Sequence, residues 1–173
     1  GTWQMTEHTK KGVCYVSFPL LDAERGFVHG FSTRIGGVSE GDLSSMNLSF
    51  TRGDDPERVR ENYRRIAAAV GFETDRLVFT HQTHTNHVRV VTEADAGKGF
   101  VRERDYTDVD GLVTDVPQLV LTTFYADCVP LFFIDPIHKA IGLSHSGWRG
   151  TVSDIAAATV RTMQGEYGSR PED

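Results

Sequence analysis

The chain has 173 residues, 39% apolar and 24% charged, the composition of an ordinary globular protein long enough to bury a core without staples. It carries 18 basic against 24 acidic residues, a net charge of −6 with no long basic run, which argues against a surface that tracks nucleic-acid phosphates. Its apolar runs, such as LFFI, fall far short of a membrane span, so the expected partners include neither nucleic acid nor membrane.

The opening GTWQMTEHTKKG is polar and lacks the apolar region of a secretory signal. GVCYVSFPLL (12–21) reads as a first strand and FVHGFSTRI (27–35), rich in β-formers, as a second. Cys14 is expected to be a small core residue. With Cys128 the only other cysteine there is no disulfide framework, and the chain reads as the product of a reducing compartment, hence cytoplasmic. GGVSEGDLSSMNLSF (36–50) has no clear period and reads as a loop whose glycines permit close approach of the backbone to a ligand. DDPERVRENYRRIAAAVGF is the clearest helix. Asp55 can cap it, Pro56 suits its first position, Val59, Tyr63, Ile66 and Val70 recur at helical spacing, and Gly71 can stop it.

LVFTHQTHTNHVRVVTE (77–93) is strand-like on both sides of a histidine-rich centre, and KGFVRERDYTD (98–108) is a polar connection. DGLVTD (110–115) reads as a short strand, QLVLTTFYADCVPLFFID (118–135) as one long apolar strand, and KAIGLSHSG (139–147) as another. TVSDIAAATVRTMQGEYG (151–168) reads as a second helix, with Ser153 a candidate cap and Ile155, Thr159, Val160 and Met163 on one face. EYGSRPED closes on a turn signal, so either the domain ends there or the chain is truncated. One domain spanning 1–173 is expected. Helices amid runs of strands give an α+β or mixed layered α/β fold, with neither GxGxxG nor P-loop in it.

Strands 118–135 and 139–147 are separated by DPIHK. If Asp135-Pro136-Ile137-His138 is the turn, paired residues of the hairpin sum to 273, and so do Cys128 and His145. The two would then face each other with Cβ atoms ~4.5–5.5 Å apart. A thiol and an imidazole at that separation can share a metal or form a Cys–His catalytic pair. A cysteine in an apolar strand is ordinarily core, but three features favour a site. Asp127 is adjacent and charged. Pro130 marks an edge or distorted strand. HSGWRG places Trp148 and Arg149 just before a helix, whose N-terminus attracts anions. A catalytic zinc takes three protein ligands, and HQTHTNHV offers His81, His84 and His87 for the third, a choice the residues alone leave open.

HGFSTRIGGVS, GDDPERVRENYRRIA, HQTH, DVDGLVT, ADCVPLFF and HSGWRG occur in that order across roughly residues 27–165. In these elements the chain resembles the YfiH/YlmD family, also called the laccase-domain or polyphenol-oxidoreductase family. The resemblance implies the layered α/β fold shared with the bacterial cytotoxic deamidase domain. It implies zinc ligands at His84, Cys128 and His145, and activity on purine nucleosides. The reactions implied are phosphorolysis of adenosine, inosine and guanosine, cleavage of methylthioadenosine, and adenosine deamination. Family chains continue past the GWRG helix, whereas this sequence stops at Asp173.

With zinc at those residues, Asp127 is a candidate proton shuttle, Arg149 and Arg34 are candidate phosphate-binding cations, and Asn47 and Gln82 could orient substrate or stabilise loops. The expected small-molecule partners are purine nucleosides and phosphate, with the protein a monomer or small homo-oligomer. Two other chemistries compete. One is a metal-free hydrolase or deamidase with Cys128 as nucleophile and His145 as base. The other is a copper-dependent polyphenol oxidase; copper competes well at N/S sites, but the sequence has too few paired histidines for a multi-copper centre. A non-catalytic binding module is the remaining alternative.

Overall fold

The computed structural model describes residues 6–17, 29–83, 85, 87–124, 129–135, 137–146 and 152–170. They fall into two compact units that divide between Thr74 and Asp75. The fold is of mixed α and β content, with three sheets and two α-helices among the described residues, as the α+β reading anticipates.

The first unit holds a three-stranded antiparallel sheet of β1 (Thr6–Lys10), β2 (Val13–Ser17) and β3 (Phe31–Ser32). β1 escapes sequence reading because TEHTK is polar on both faces; it pairs with β2 through its main chain and stays largely exposed. Lys10 pairs with Val13, leaving a two-residue turn in which Lys11 (φ 52°) and Gly12 (φ 79°) both take the positive φ that tight hairpins favour. Val13, Cys14 and Tyr15 are buried, so Cys14 is the core residue expected, with its Sγ 3.3 Å from Glu7 Oε1. The strand expected over 27–35 shortens to β3. Beyond Ser32 the contact continues through Thr33 N–H and Thr33 Oγ1 to Cys14 O (3.2 and 2.7 Å) and Cys14 N–H to Ile35 O (3.3 Å).

Helix α1 (Pro56–Val70) follows its sequence signals. The Asp55 carboxylate accepts from Glu57 N–H (2.9 Å), Pro56 opens the first turn, and Gly71 closes the helix with φ 103°. Val59, Tyr63 and Ile66 are buried on its inner face. Asp55→Ala is expected to cost about 1 kcal/mol, read as a lower urea midpoint with an unchanged denaturant slope.

The inner face of α1 also carries Asn62, which is fully buried and holds loop 36–50. Its Oδ1 accepts from Val38 N–H (2.8 Å), and its Nδ2 donates to Ser39 Oγ (2.9 Å) and Asn47 O (2.7 Å). Tyr63 Oη donates to Leu48 O (2.5 Å). A Cβ at Gly37 would stand 2.0 Å from Ser45 O and 2.6 Å from Asn62 Oδ1, so only glycine allows this approach.

The second unit contains β4 (Leu77–Phe79), β5 (Val88–Val90), β6 (Gly111–Thr114), β7 (Val120–Thr122), β8 (Val129–Asp135), β9 (Ala140–Ser146) and helix α2 (Val152–Tyr167). β4 and β7 form a parallel pair, and the other four make a mixed sheet in the order β5-β6-β9-β8. The stretch 118–135 is therefore not one strand but two, β7 and β8, in different sheets. Val113, Ala140 and Met163 form a buried cluster between this sheet and α2. Gly142 lets the helix approach, since a Cβ there would lie 3.1 Å from Thr159 Cγ2 and 3.2 Å from Met163 Sδ. Ile155, Thr159 and Met163 are buried, as the expected face requires. Ser153 is not the cap: α2 begins at Val152, which places Ser153 inside the first turn.

Between β5 and β6 the chain buries a charged network. Asp95 Oδ1 accepts from Lys98 Nζ (2.7 Å) and Arg89 Nη2 (2.9 Å), and Lys98 Nζ also donates to Asp105 Oδ2 (3.1 Å). The Arg89 guanidinium stacks 4.4 Å above the Tyr106 ring, whose hydroxyl burial pushes up to about 12. Among the described residues no helix is long and apolar enough to cross a membrane.

Candidate active site

The described residues of the histidine segment 81–87 form no strand. His81 makes an isolated antiparallel bridge with Val109, through His81 N–H to Val109 O (2.9 Å) and Val109 N–H to His81 O (2.8 Å). Farther along, Asp110 N–H and Gly111 N–H both donate to His87 O (3.1 and 3.2 Å). Two of the three histidine rings are also tied to this partner segment. His81 Nδ1 accepts from Asp108 N–H (2.9 Å), and His87 Nδ1 donates to Asp108 O (3.1 Å). These bonds anchor His81 and His87 through Nδ1. His84 itself lies outside the described residues.

The Gln82 amide is fully directed into the protein. Its Oε1 accepts from Thr80 Oγ1 (2.7 Å) and Phe124 N–H (2.6 Å), and its Nε2 donates to Phe124 O. Gln82 thus ties the histidine segment to the chain just beyond β7. Asn47 is likewise engaged: Nδ2 donates to Ser49 O (3.1 Å) and Asp54 Oδ2 (3.2 Å), and Oδ1 accepts from Ser49 N–H (3.1 Å). Hydrogen bonds from Ser39 and then Asn47 hold the Asp54 carboxyl below its ordinary range. Both amides serve as loop ties, the second role the sequence left open for them.

Arg34 differs. It is exposed, and its guanidinium has no partner among the described residues. Its main chain is held firmly, since Arg34 O accepts from Ser45 N–H (2.9 Å), Met46 N–H (3.0 Å) and Ser45 Oγ (2.6 Å). Thr33, Arg34, Ile35, Ser44 and Ser45 line an open depression of about 560 Å³. A cation displayed this way is available to an anion.

The hairpin register corrects the pairing of Cys128 with His145. Asp135 pairs with Ala140 and Pro130 with His145, so paired positions sum to 275, not 273. The connection spans four residues (136–139) instead of two, with Lys139 at φ 56°. His145 therefore faces Pro130. The pairing extends to Val129 and Ser146, and among the described residues β8 ends the strand order of its sheet. Cys128, Asp127 and Arg149 lie outside the described residues, and His145 is placed by its main chain alone. Among the described residues no three His, Cys, Asp or Glu side chains gather to hold a metal.

By donor chemistry the implied set of His84, Cys128 and His145 fits zinc: one thiolate and two imidazoles, three ligands that leave a position open. Sequence reading missed Asp108 and Asp110, which anchor the histidine segment. The available signal was DVDG, two acids spaced to straddle the entrance to β6.

The mixed α and β architecture is similar to that of the YfiH and YlmD crystal structures. The chain belongs to the family described as multi-copper polyphenol oxidoreductase laccase, matched over residues 28–173. It is 40% identical over 167 residues to the mouse protein named purine nucleoside phosphorylase LACC1, covering 95% of this chain and 36% of that one. To a Deinococcus radiodurans protein named purine nucleoside phosphorylase it is 42% identical over 155 residues, covering 89% and 56%. The crystal structure of YlmD from Geobacillus stearothermophilus superposes with a TM-score of 0.81 at 34% identity, covering 97% of this chain and 62% of that one. The chain thus spans between about a third and six-tenths of these relatives' lengths.

Proposed function

We propose that the chain carries zinc-dependent purine nucleoside phosphorylase chemistry, in which adenosine, inosine, guanosine or methylthioadenosine reacts with phosphate to give the free base and a sugar 1-phosphate. Adenosine deamination is proposed as a second reaction. The observation that carries this reading is the 40–42% identity, over most of this chain, to two proteins named purine nucleoside phosphorylase.

His84, Cys128 and His145 would hold the metal, which when bound supplies Lewis-acid polarisation of an oxygen. Phosphate needs fixed cations, and the exposed guanidinium of Arg34, without a partner among the described residues and carried on a pinned main chain, supports that role for Arg34, with Arg149 as the second candidate. Asp127 would carry the proton in deamination. Thr80, Gln82 and Phe124 keep the histidine segment against the strand end that leads to Asp127 and Cys128.

Inosine incubated with the full-length protein is expected to release hypoxanthine only when phosphate is present. Cys128→Ala should lower kcat/KM by at least about 100-fold, because losing a ligand costs no less than losing a group behind one. Base release without phosphate, or undiminished release by metal-stripped protein, overturns the reading.

A further inference from the structure

Asp110 is fully buried, and one of its oxygens does unusual duty. Oδ1 accepts from Thr83 N–H (3.1 Å), Thr85 N–H (3.1 Å) and Thr85 Oγ1 (2.9 Å). Thr83 and Thr85 are the residues on either side of His84. A single carboxylate oxygen therefore sets the main chain immediately before and after that histidine, through bonds strengthened by its charge. Asp108 completes the cradle: its Oδ1 accepts from Thr83 Oγ1 (2.8 Å), and its main-chain O, 3.1 Å from Thr85 Oγ1, shares that hydroxyl's single proton with Asp110 Oδ1.

Gln82 acts on the same segment from its other side. It accepts from the N–H of Phe124 and donates to the O of Phe124, so its amide substitutes for a strand partner, and the Thr80 hydroxyl fixes its orientation. Phe124 stands two residues beyond β7 and four before Cys128.

We propose that Asp110 and Gln82 are positioning residues for the metal site, Asp110 by setting the main chain around His84 and Gln82 by tying that segment to the strand end leading to Cys128. The inference rests on the reading of His84 and Cys128 as ligands. Ligands on a loop must be ordered before they can close on an ion, and groups behind the ligands do that ordering in advance.

The test compares full-length wild type with Asp110→Ala, Asp110→Asn and Gln82→Met. Zinc dissociation constants are measured by competition with a chromophoric chelator, well below each variant's melting temperature, where a general loss of stability leaves them unchanged. Asp110→Ala and Gln82→Met are expected to weaken zinc binding about 10–100-fold. Asp110→Asn, which keeps an oxygen facing the two N–H groups, should recover part of that loss. Wild-type affinity in Asp110→Ala and Gln82→Met overturns this proposal while the zinc reading stands. Failure of wild type to bind zinc overturns both. Should Asp110→Ala not fold, Asp110→Asn and Gln82→Met decide: weakened binding supports the proposal, and unchanged affinity in both overturns it.

Discussion

Asn62→Leu should lower stability by roughly 3–5 kcal/mol, one of the largest effects available to a single substitution in the first unit. Leucine has the branching of asparagine with somewhat more bulk, so no cavity forms and any overpacking adds to the loss. The loss comes chiefly from two loop groups left without the amide partner they have at 2.7–2.8 Å, Val38 N–H and Asn47 O, while Ser39 Oγ loses the bond it accepts at 2.9 Å and keeps the one it donates to Asp54. Each buried polar group stranded in this way costs about 1–3 kcal/mol, and water entering the site returns part of it. Asn62→Asp tests the chemistry more finely: it keeps an acceptor for Val38 N–H but sets a buried carboxylate oxygen against Asn47 O, so it should cost at least as much as leucine at neutral pH. Urea unfolding followed by circular dichroism reads the difference, and a loss below about 1 kcal/mol for Asn62→Leu would show that the loop is held by other means. Because loop 36–50 supplies the Ser45 and Met46 groups that pin Arg34 O, the same variant should bind phosphate more weakly even where it remains folded.

In the second unit, Asp95→Ala is expected to cost about 3–5 kcal/mol, the usual penalty for breaking a buried ion pair from one side. Asp95 is 3% and Lys98 8% exposed, and Asp95 also accepts from Thr92 N–H (3.1 Å), closing the turn at 93–95. Removing the carboxylate leaves a buried lysine with only the exposed Asp105, and leaves Arg89 without its carboxylate. The pH dependence has a definite sign. Burial pushes the Asp95 carboxyl up, but hydrogen bonds from Lys98 and Arg89 outweigh it and hold the group below its ordinary range. Its contribution is therefore complete above the unfolded value near ~3.9 and is lost as pH falls through the lower folded value. Lys98 is held above its ordinary range by hydrogen bonds to Asp95 and Asp105, so its contribution persists to about pH 10 and fades as pH rises through the folded value. Denaturation of wild type and Asp95→Ala at pH 7 and pH 3 should show the gap between them narrowing in acid. A gap that widens in acid would contradict the assignment.

Much of the fold was legible where local chemistry decides it. Asp55, Pro56 and Gly71 bound α1 because a cap, a fixed φ and a left-handed stop act within a turn of their own residues. The inward faces of both helices followed from apolar spacing. β1 was not legible, since a polar strand pairs by its main chain and leaves no hydropathy pattern. The break between β7 and β8 was hidden because an unbroken apolar run does not say which sheet each half joins.

The candidate site divides along the same line. Sequence by itself determined the donor types, the family and the order of the motifs, because residue identity carries chemistry without geometry. Tertiary structure decided the rest. Hairpin register followed from a four-residue connection, which set Pro130 opposite His145. Asn47 and Gln82 became loop ties once their distant partners, seven to forty-two residues away, came into reach. Asp110 gained its role only when folding brought it to Thr83 and Thr85, some 25 residues earlier in the chain. A hydrogen bond between distant segments depends on how the chain between them closes, and no local pattern records that.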